Sequence, residues 1–157
     1  MVADASERIR EQLGDLVREA GVSHGVLVFE LDPPALHETV ARLKAKCGFD
    51  LFLDVTAVDW PGREPRFDVV YHFYSSAERL RVRLKTRVPE SEPAVATLID
   101  LYGSARFMER ECHDMFGIEF RGNADLRPIL LYEGFTGHPL RKDYPKDREQ
   151  PLVPSRK

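Results

Sequence analysis

The chain has 157 residues, of which 43% are hydrophobic and 31% charged. These proportions are typical of a soluble globular protein with one domain and room for an appendage, and they exclude collagen-like, mucin-like and wholly disordered chains. With 23 basic and 26 acidic residues the formal charge is -3, so no overall positive field draws the protein onto nucleic acid or anionic lipid. A partner must therefore be recognised by a local surface.

No stretch approaches the ~18 consecutive apolar residues of a membrane-spanning helix, and the first residues lack the apolar core of a signal peptide. We therefore expect the chain to fold in the cytosol. The two cysteines, Cys47 and Cys112, are too few for a disulfide framework and too far apart for a metal knuckle. Reduced thiols are expected.

Hydrophobic periodicity predicts the first elements in chain order. A helix is expected from Asp4 to a stop at Gly21, followed by a strand from Val22 to Leu31. Asp32 and the two prolines after it introduce a second helix, which ends at Gly48.

Alternation of apolar and polar residues then predicts strands over residues 49–57, 66–74 and 80–88, the last two as hairpin neighbours. Two prolines, Pro89 and Pro93, interrupt the sheet, and a short third helix is expected over 95–102. The predicted fold class is α/β (α+β). It has a mixed, mostly antiparallel sheet flanked by helices, followed by an extended, irregular C-terminal arm.

The outward positions of the strand over 80–88 carry four cations, namely Arg81, Arg83, Lys85 and Arg87. Such a row is able to clamp a phosphate backbone, which would make the chain a nucleic-acid module. The alternatives are a solvated sheet face or an edge strand whose charges block edge-to-edge pairing. We favour these alternatives, because no aromatic run accompanies the cations.

Organisation changes in the last quarter of the chain, where five of the eleven prolines follow residue 127. Proline at this density opposes both helix and interior strand, yet the segment is rich in leucine, isoleucine and aromatic residues. Such a segment must cover either its own domain or a partner, and its length favours a partner. We therefore divide the chain into an α/β domain over 1–120 and an arm over 121–157 that docks on a partner subunit.

A cluster of charged residues lies just before the arm, between Glu109 and Asp114. If it is helical, Arg110 and Asp114 are four residues apart and able to pair. A second hypothesis is an isolated catalytic domain that uses Cys112, His113 and Asp114 as nucleophile, base or metal ligands. Adjacent helical residues point about 100° apart, which disfavours joint action of Cys112 and His113 on one atom.

Four runs of sequence resemble a known family: FLDVTAVDW, ERECHDMFGIEFRG, ADLRPIL and GFTGHPLRKDYP. In this order they are similar to the signature of the C subunit, or 30 kDa subunit, of respiratory complex I, NADH:quinone oxidoreductase. The resemblance implies a cofactor-free subunit of the peripheral arm of a proton-translocating complex. FMN, iron-sulfur clusters, NADH and quinone are then used by other subunits, and no catalytic, cofactor-binding or metal-binding residue is expected in this chain.

The resemblance also implies the partners. The D (49 kDa) subunit, which forms much of the quinone site, is expected to contact this chain together with other peripheral-arm subunits. No nucleic acid is expected, and the membrane is reached only through the complex, on the cytoplasmic side of the bacterial inner membrane. The equivalent subunit of a related membrane hydrogenase, or of another quinone reductase, is the alternative.

Ten side chains are expected at the partner interface: Glu109, Arg110, Glu111, Asp114, Arg127, Leu140, Arg141, Lys142, Asp143 and Tyr144. Within the last run, Leu140 and Tyr144 are expected to enter pockets of the partner, and Arg141 to bind a carboxylate across the interface. On this hypothesis Arg141 contributes little to the stability of its own domain.

Overall fold

The computed structural model describes residues 2–147. Strands and helices occupy most of this range, and the last described residues form turns without regular structure. In chain order the elements are α1 (Val2–Leu13), β1 (Glu19–Ser23), β2 (Val26–Leu31), α2 (Leu36–Cys47), β3 (Leu51–Asp59), β4 (Phe67–Ser75), β5 (Leu80–Val88), β6 (Ala94–Ala96), α3 (Ala105–Phe116) and β7 (Glu119–Arg121).

The first helix is shorter than the sequence predicted. It already includes Val2 and ends at Leu13, because Gly14 takes a left-handed conformation with φ +57°. The predicted single strand after it is also wrong: β1 and β2 form an antiparallel hairpin. His24 and Gly25 connect them, both with positive φ, which is the geometry that a tight hairpin turn requires.

Five strands form the main sheet in the order β1-β2-β5-β4-β3. Only β2 and β5 run parallel; the other neighbouring pairs are antiparallel. The predicted mixed, mostly antiparallel sheet is therefore confirmed, as is the β4–β5 hairpin. The edge-strand explanation for the basic strand is wrong, because β5 lies in the centre of the sheet.

The helices pack on one face of this sheet and share one core with it. Their apolar stripes meet the inward side chains of β2 to β5, including Phe29, Tyr71 and Phe73, which are fully buried. As predicted, α2 ends at Gly48, whose φ of +70° gives the left-handed cap. A 3-10 turn over Pro33–Ala35 leads into this helix. No helix in the described part of the chain is long and apolar enough to span a membrane.

The predicted third helix over 95–102 does not form. Residues Ala94–Ala96 form the short strand β6, which pairs parallel with β7. The backbone N–H of Thr97 donates to the carbonyl of Arg121, and that of Leu98 donates to the carboxylate of Glu109. These acceptors lie far along the chain, so they replace the local hydrogen bonds that would have built a helix.

Candidate functional site

The arm and the C-terminal half of α3 form the candidate site, and α3 is the element that organises it. One face of this helix is buried against β3, with Cys112 and Phe116 in the core. The helix ends at Gly117, whose φ is +72° and whose N–H donates to the carbonyl of His113 at 2.7 Å. Its last exposed carbonyl groups then face the arm.

Glu109 is fully buried within the domain and is held by three donors. Its carboxylate accepts hydrogen bonds from the Thr97 hydroxyl at 2.6 Å, the Leu98 N–H at 2.7 Å and the Asn123 side-chain amide at 2.9 Å. Burial raises the pKa of Glu109, while these hydrogen bonds act in the opposite direction. The side chain therefore joins the segment after β6 to the start of the arm.

Asp114 holds the backbone of the arm. One carboxylate oxygen, Oδ2, accepts from the N–H groups of Ile129 at 2.7 Å, Leu130 at 3.0 Å and Leu131 at 3.4 Å. The side chain is buried, in the last turn of α3, where the helix dipole disfavours a negative charge. The three N–H donors compensate for this unfavourable position.

Arg110 binds the arm through carbonyl groups. Its Nε donates to the carbonyl of Arg127 at 2.9 Å, and its Nη2 donates to that of Pro128 at 2.8 Å. The predicted ion pair between Arg110 and Asp114 is therefore replaced by two separate contacts with the arm. Arg127 itself is exposed and pairs with Asp125, and this arginine together with Arg106 lowers the pKa of Asp125 to about 2.

Residues 138–141 cap the C-terminus of α3. Nδ1 of His138 donates to the carbonyl of Asp114 at 3.0 Å, the Leu140 N–H to that of Met115 at 3.1 Å, and Nε of Arg141 to that of Phe116 at 2.6 Å. These carbonyls have no partner within the helix, and a cation near a helix C-terminus is favourable. The arm thus supplies the cap.

This cap depends on Gly117. A Cβ atom at this position would lie 2.5 Å from Nε2 of His138 and 2.7 Å from Nη2 of Arg141. The missing side chain therefore serves two purposes, since it permits the left-handed backbone and admits the arm.

A buried ion pair fixes residues 142–143 of the arm beside the sheet. Arg66 binds Asp59 through two hydrogen bonds of 2.7 and 2.8 Å, and also reaches Asp143 at 3.0 Å. The Lys142 N–H donates to Asp59 at 2.7 Å. Hydrogen bonding to Arg66 lowers the pKa of both Asp59 and Asp143. Asp59, buried at the end of β3, is thus linked to the arm.

Aromatic contacts accompany this ion pair. The guanidinium of Arg141 lies 5.0 Å from the ring centroid of Phe67, a distance suited to a cation–π contact. The Tyr144 ring stacks on Phe135 with centroids 6.1 Å apart, and Gly137 admits the Tyr144 ring.

Most of the ten predicted interface residues contact other parts of the chain, and Arg127 and Asp143 do so through ion pairs although they are exposed. Glu109, Asp114 and Arg141 make specific contacts inside the chain, as do Arg110 and the backbone of Lys142. Glu111 and Leu140 expose their side chains, as do Arg127, Lys142 and Asp143, while that of Tyr144 is half-buried. Their contact with a partner protein stays a prediction.

Three apolar residues of the arm are turned outward. Leu130 exposes 62% of its surface, Leu140 51% and Ile129 38%. These three residues are called the arm face below. The arm backbone is thus bound to the domain while these three aliphatic side chains face solvent.

The geometry does not favour the catalytic hypothesis. Cys112 is buried, and burial raises the pKa of its thiol, whereas a nucleophilic cysteine needs an accessible thiolate. Nδ1 of His113 donates to the carbonyl of Ile118 at 2.9 Å, and Asp114 is occupied by the arm. Among residues 2–147 no cluster of three or more His, Cys, Asp or Glu side chains is placed to hold a metal ion.

Sequence reasoning missed Asp59, Arg66, Phe67 and His138 as parts of this site. Two of the quoted runs were signals, since FLDVTAVDW contains Asp59 and GFTGHPLRKDYP contains His138. Charged residues flank the first run, but nothing in the linear sequence indicates that Arg66 reaches Asp143.

Comparisons with known proteins indicate the family of this chain. The family model for the respiratory-chain NADH dehydrogenase 30 Kd subunit matches residues 29–150. The C subunit of the NADH-quinone oxidoreductase of Agrobacterium fabrum is 44% identical over 144 residues, covering 90% of this chain and 72% of the relative. The C subunit of the same enzyme from a Methylobacterium species is 41% identical over 142 residues, covering 89% of this chain and 66% of the relative.

Two solved structures resemble the fold. A trypsin-resistant fragment of Nqo5 is 32% identical with a TM-score of 0.68, covering 80% of this chain and 100% of the fragment. A chain of the membrane-bound sulfane sulfur reductase, an archaeal respiratory membrane complex, is 28% identical with a TM-score of 0.73, covering 82% of this chain and 75% of that chain. From the extent of the family match and the identity of the relatives, this chain belongs to the family of the 30 kDa subunit of the respiratory-chain NADH dehydrogenase, a multi-subunit enzyme.

Proposed function

We propose that this chain is a non-catalytic, cofactor-free subunit of the peripheral arm of a proton-translocating NADH:quinone oxidoreductase. It supports assembly of the complex and holds the quinone-site D (49 kDa) subunit in place, on the cytoplasmic side of the bacterial inner membrane. FMN, iron-sulfur clusters, NADH and quinone are bound by the other subunits. The purified chain should hold no stoichiometric iron, zinc or flavin, because two cysteines cannot build a four-thiolate cluster; one tightly held ion per chain would contradict this.

The arrangement of the arm is the observation that carries the proposal. Asp114, Arg110 and the C-terminus of α3 satisfy the arm backbone, while the arm face points outward. An irregular segment that is already ordered loses less conformational entropy when it docks. Exposed aliphatic side chains on an ordered support are suited to the buried centre of a protein interface.

The proposal is tested by changing the arm face without changing the arm backbone. In a strain that lacks the native gene, Leu130→Ser should lower the amount of assembled complex in membranes and the NADH:quinone reductase activity together. Leu130 has no core contact to lose, so the melting temperature of the purified chain should stay the same.

Val22→Ser is the matched control, because Val22 is exposed to a similar extent, 57%, but lies on β1. Normal assembly with Leu130→Ser, or an equal loss with Val22→Ser, would contradict a docking role for the arm face.

A related complex is the second candidate host, because the chain resembles part of the sulfane sulfur reductase in fold and sequence. In that case the same subunit would support a different reductase or a membrane hydrogenase. The two hosts are separated by purifying the complex through a tag on this chain and identifying its partners by mass spectrometry. Co-purification of FMN and NADH-oxidising activity supports NADH:quinone oxidoreductase, and their absence from an intact complex supports the alternative.

A further inference from the structure

The face of the sheet opposite the helices carries the four cations of β5. The side chains of β5 alternate, so Val82, Leu84 and Val88 enter the core while Arg81, Arg83, Lys85 and Arg87 lie on the other face. Because β5 is the central strand, these cations run along the middle of the sheet. Neighbouring cations on the strand are about 6.7 Å apart, the distance between alternate residues.

Only one end of this row is neutralised by the chain itself. Arg87 pairs with Glu30 at 2.9 Å and approaches Asp68 at 3.7 Å, and Asp68 also pairs with Arg63. Within residues 2–147, Arg81, Arg83 and Lys85 form no ion pair. These three residues are called the basic face below.

Arg83 is the centre of the basic face, and its position is unusual. It lies between Val28 of β2 and His72 of β4 in the sheet register. Its Nε is buried, yet it has no hydrogen-bond acceptor among the described residues. A buried donor without an acceptor is unfavourable. Burial keeps Nε itself from contact with a ligand, but the Arg83 side chain is partly exposed, so a carboxylate is able to approach its positive charge from solvent.

His72 of β4 lies beside Arg83 on the same face of the sheet. Its pKa is lowered by burial and by Arg83 and Arg81, although Asp54 across the β3–β4 pair acts in the opposite direction. Burial is the largest cause of this shift, and the two arginines add to it.

We propose that the basic face binds an acidic, extended segment of a neighbouring subunit, with carboxylates at alternate positions meeting Arg81, Arg83 and Lys85. An extended peptide repeats its side chains with the same spacing as β5, and charge complementarity of this kind sets register and orientation. This surface lies on the other side of the sheet from α3 and its capping segment, so the proposal goes beyond the docking of the arm.

The surroundings favour a protein segment over a nucleic acid or a lipid surface. Glu30, Asp54 and Asp68 flank the row on the same face, so they would repel an anionic membrane, which covers the whole face. The half-exposed side chains of Val28 and Tyr74 beside the cations offer apolar contact, which a protein segment uses more readily than phosphate.

The first test uses the full chain and defined probes. A fluorescent peptide of repeated Glu-Thr pairs should bind the chain with an affinity that falls as salt rises. Arg81→Glu/Arg83→Glu should weaken this binding about tenfold, because two attractions become repulsions. Arg10→Glu/Lys46→Glu is the control of equal charge change on the helix side, where both residues are exposed, and it should bind like the native chain.

Three results of this test would overturn the proposal. These are equal binding of a Gln-Thr peptide, equal weakening by the control pair, and tighter binding of oligouridine or of phosphatidylglycerol vesicles than of the acidic peptide. The last result would identify a nucleic-acid or lipid surface instead.

The second test uses the assembled complex in membranes. A photo-crosslinking benzoylphenylalanine at Tyr74, on β4 beside Arg81, should join this chain to a peptide of another protein of the complex that carries Asp or Glu at alternate positions. The Arg81→Glu/Arg83→Glu change should abolish this product. Absence of a product in the assembled native complex, or capture of a peptide without acidic residues, refutes the proposal. The crosslink at Tyr74 does not depend on whether the arm-face variants lower assembly, so the two proposals are tested separately.

Discussion

Replacing Asp114 tests whether α3 holds the arm through one carboxylate. Asp114→Ala removes the acceptor of the N–H groups of Ile129 and Leu130, at 2.7 and 3.0 Å, and of the weaker contact with Leu131 at 3.4 Å. It also leaves a small void, because the side chain is buried. The arm should then separate from α3 before the domain unfolds.

The size of the effect follows from the two shorter bonds. A hydrogen bond to a charged acceptor contributes about 1.5–3 kcal/mol, but the donors lie on a partly exposed segment where water replaces part of the loss. Removing a negative charge from a helix C-terminus raises the free energy of unfolding by about 0.3–1 kcal/mol. We therefore expect Asp114→Ala to lower the free energy of unfolding by about 2–3 kcal/mol. Asp114→Asn, which keeps a neutral acceptor, should lower it by about 1 kcal/mol.

Urea unfolding of the purified chain measures this difference, and hydrogen exchange of the Ile129 and Leu130 amides locates it. Glu111→Ala is the control, because Glu111 lies on the exposed side of the same helix and its removal should change stability by less than about 0.5 kcal/mol. An Asp114→Ala chain as stable as the control, with unchanged protection of the two amides, would refute the role of this carboxylate.

Three further predictions concern the same site. Gly117→Ala should cost at least about 1 kcal/mol more in thermal unfolding than Gly48→Ala, since both caps have positive φ but only Gly117 touches the arm; equal costs would contradict the steric argument. Arg141→Ala should lower the free energy of unfolding by about 1–2 kcal/mol, because its contacts with the Phe116 carbonyl and the Phe67 ring are lost. An unchanged melting temperature would indicate that Arg141 acts only at the interface with a partner. Since Arg66 lowers the pKa of Asp59, the stabilisation from Asp59 is complete above its unfolded pKa of about 4 and is lost as pH falls through the lower folded value. Fluorescence of Trp60, the only tryptophan, should follow this acid transition, and an Asp59→Asn chain with the same acid dependence would contradict it.

The sequence predicted those elements whose hydrogen bonds are local or whose side chains alternate. The second helix and the three strands β3, β4 and β5 were recognisable because their apolar residues follow a single period, and glycine or proline follows the helix, β3 and β5. The β1–β2 hairpin was missed because its turn uses His24, which carries no common turn signature. Residues 95–102 were misassigned because their backbone donors go to Glu109 and Arg121, and a partner outside the segment leaves no trace in its periodicity.

The candidate site was predictable as a region, but its internal contacts were not. Charge density and the resemblance to a family both indicated α3 and the arm. The sequence favoured a partner over the arm's own domain as the surface that the arm covers, whereas the structure differs between the backbone and the side chains of the arm. Its backbone binds α3, whereas Leu130 and Leu140 remain exposed. No linear pattern separates the two, because a carboxylate such as Asp114 looks the same whether it serves a neighbour or its own chain.

The FLDVTAVDW and GHPLRKDYP runs are far apart in the sequence but in contact in the structure. Asp59 accepts from the Lys142 N–H, a residue 83 positions later, and Arg66 joins Asp59 to Asp143. A charge buried as deeply as that of Asp59 is tolerated only with a partner. Arg66 is this partner, and the Lys142 N–H in the second run is a further donor. The same contacts hold residues 142–143 beside the sheet, close in sequence to the exposed Leu140. An internal ion pair therefore positions a surface that is available to another protein.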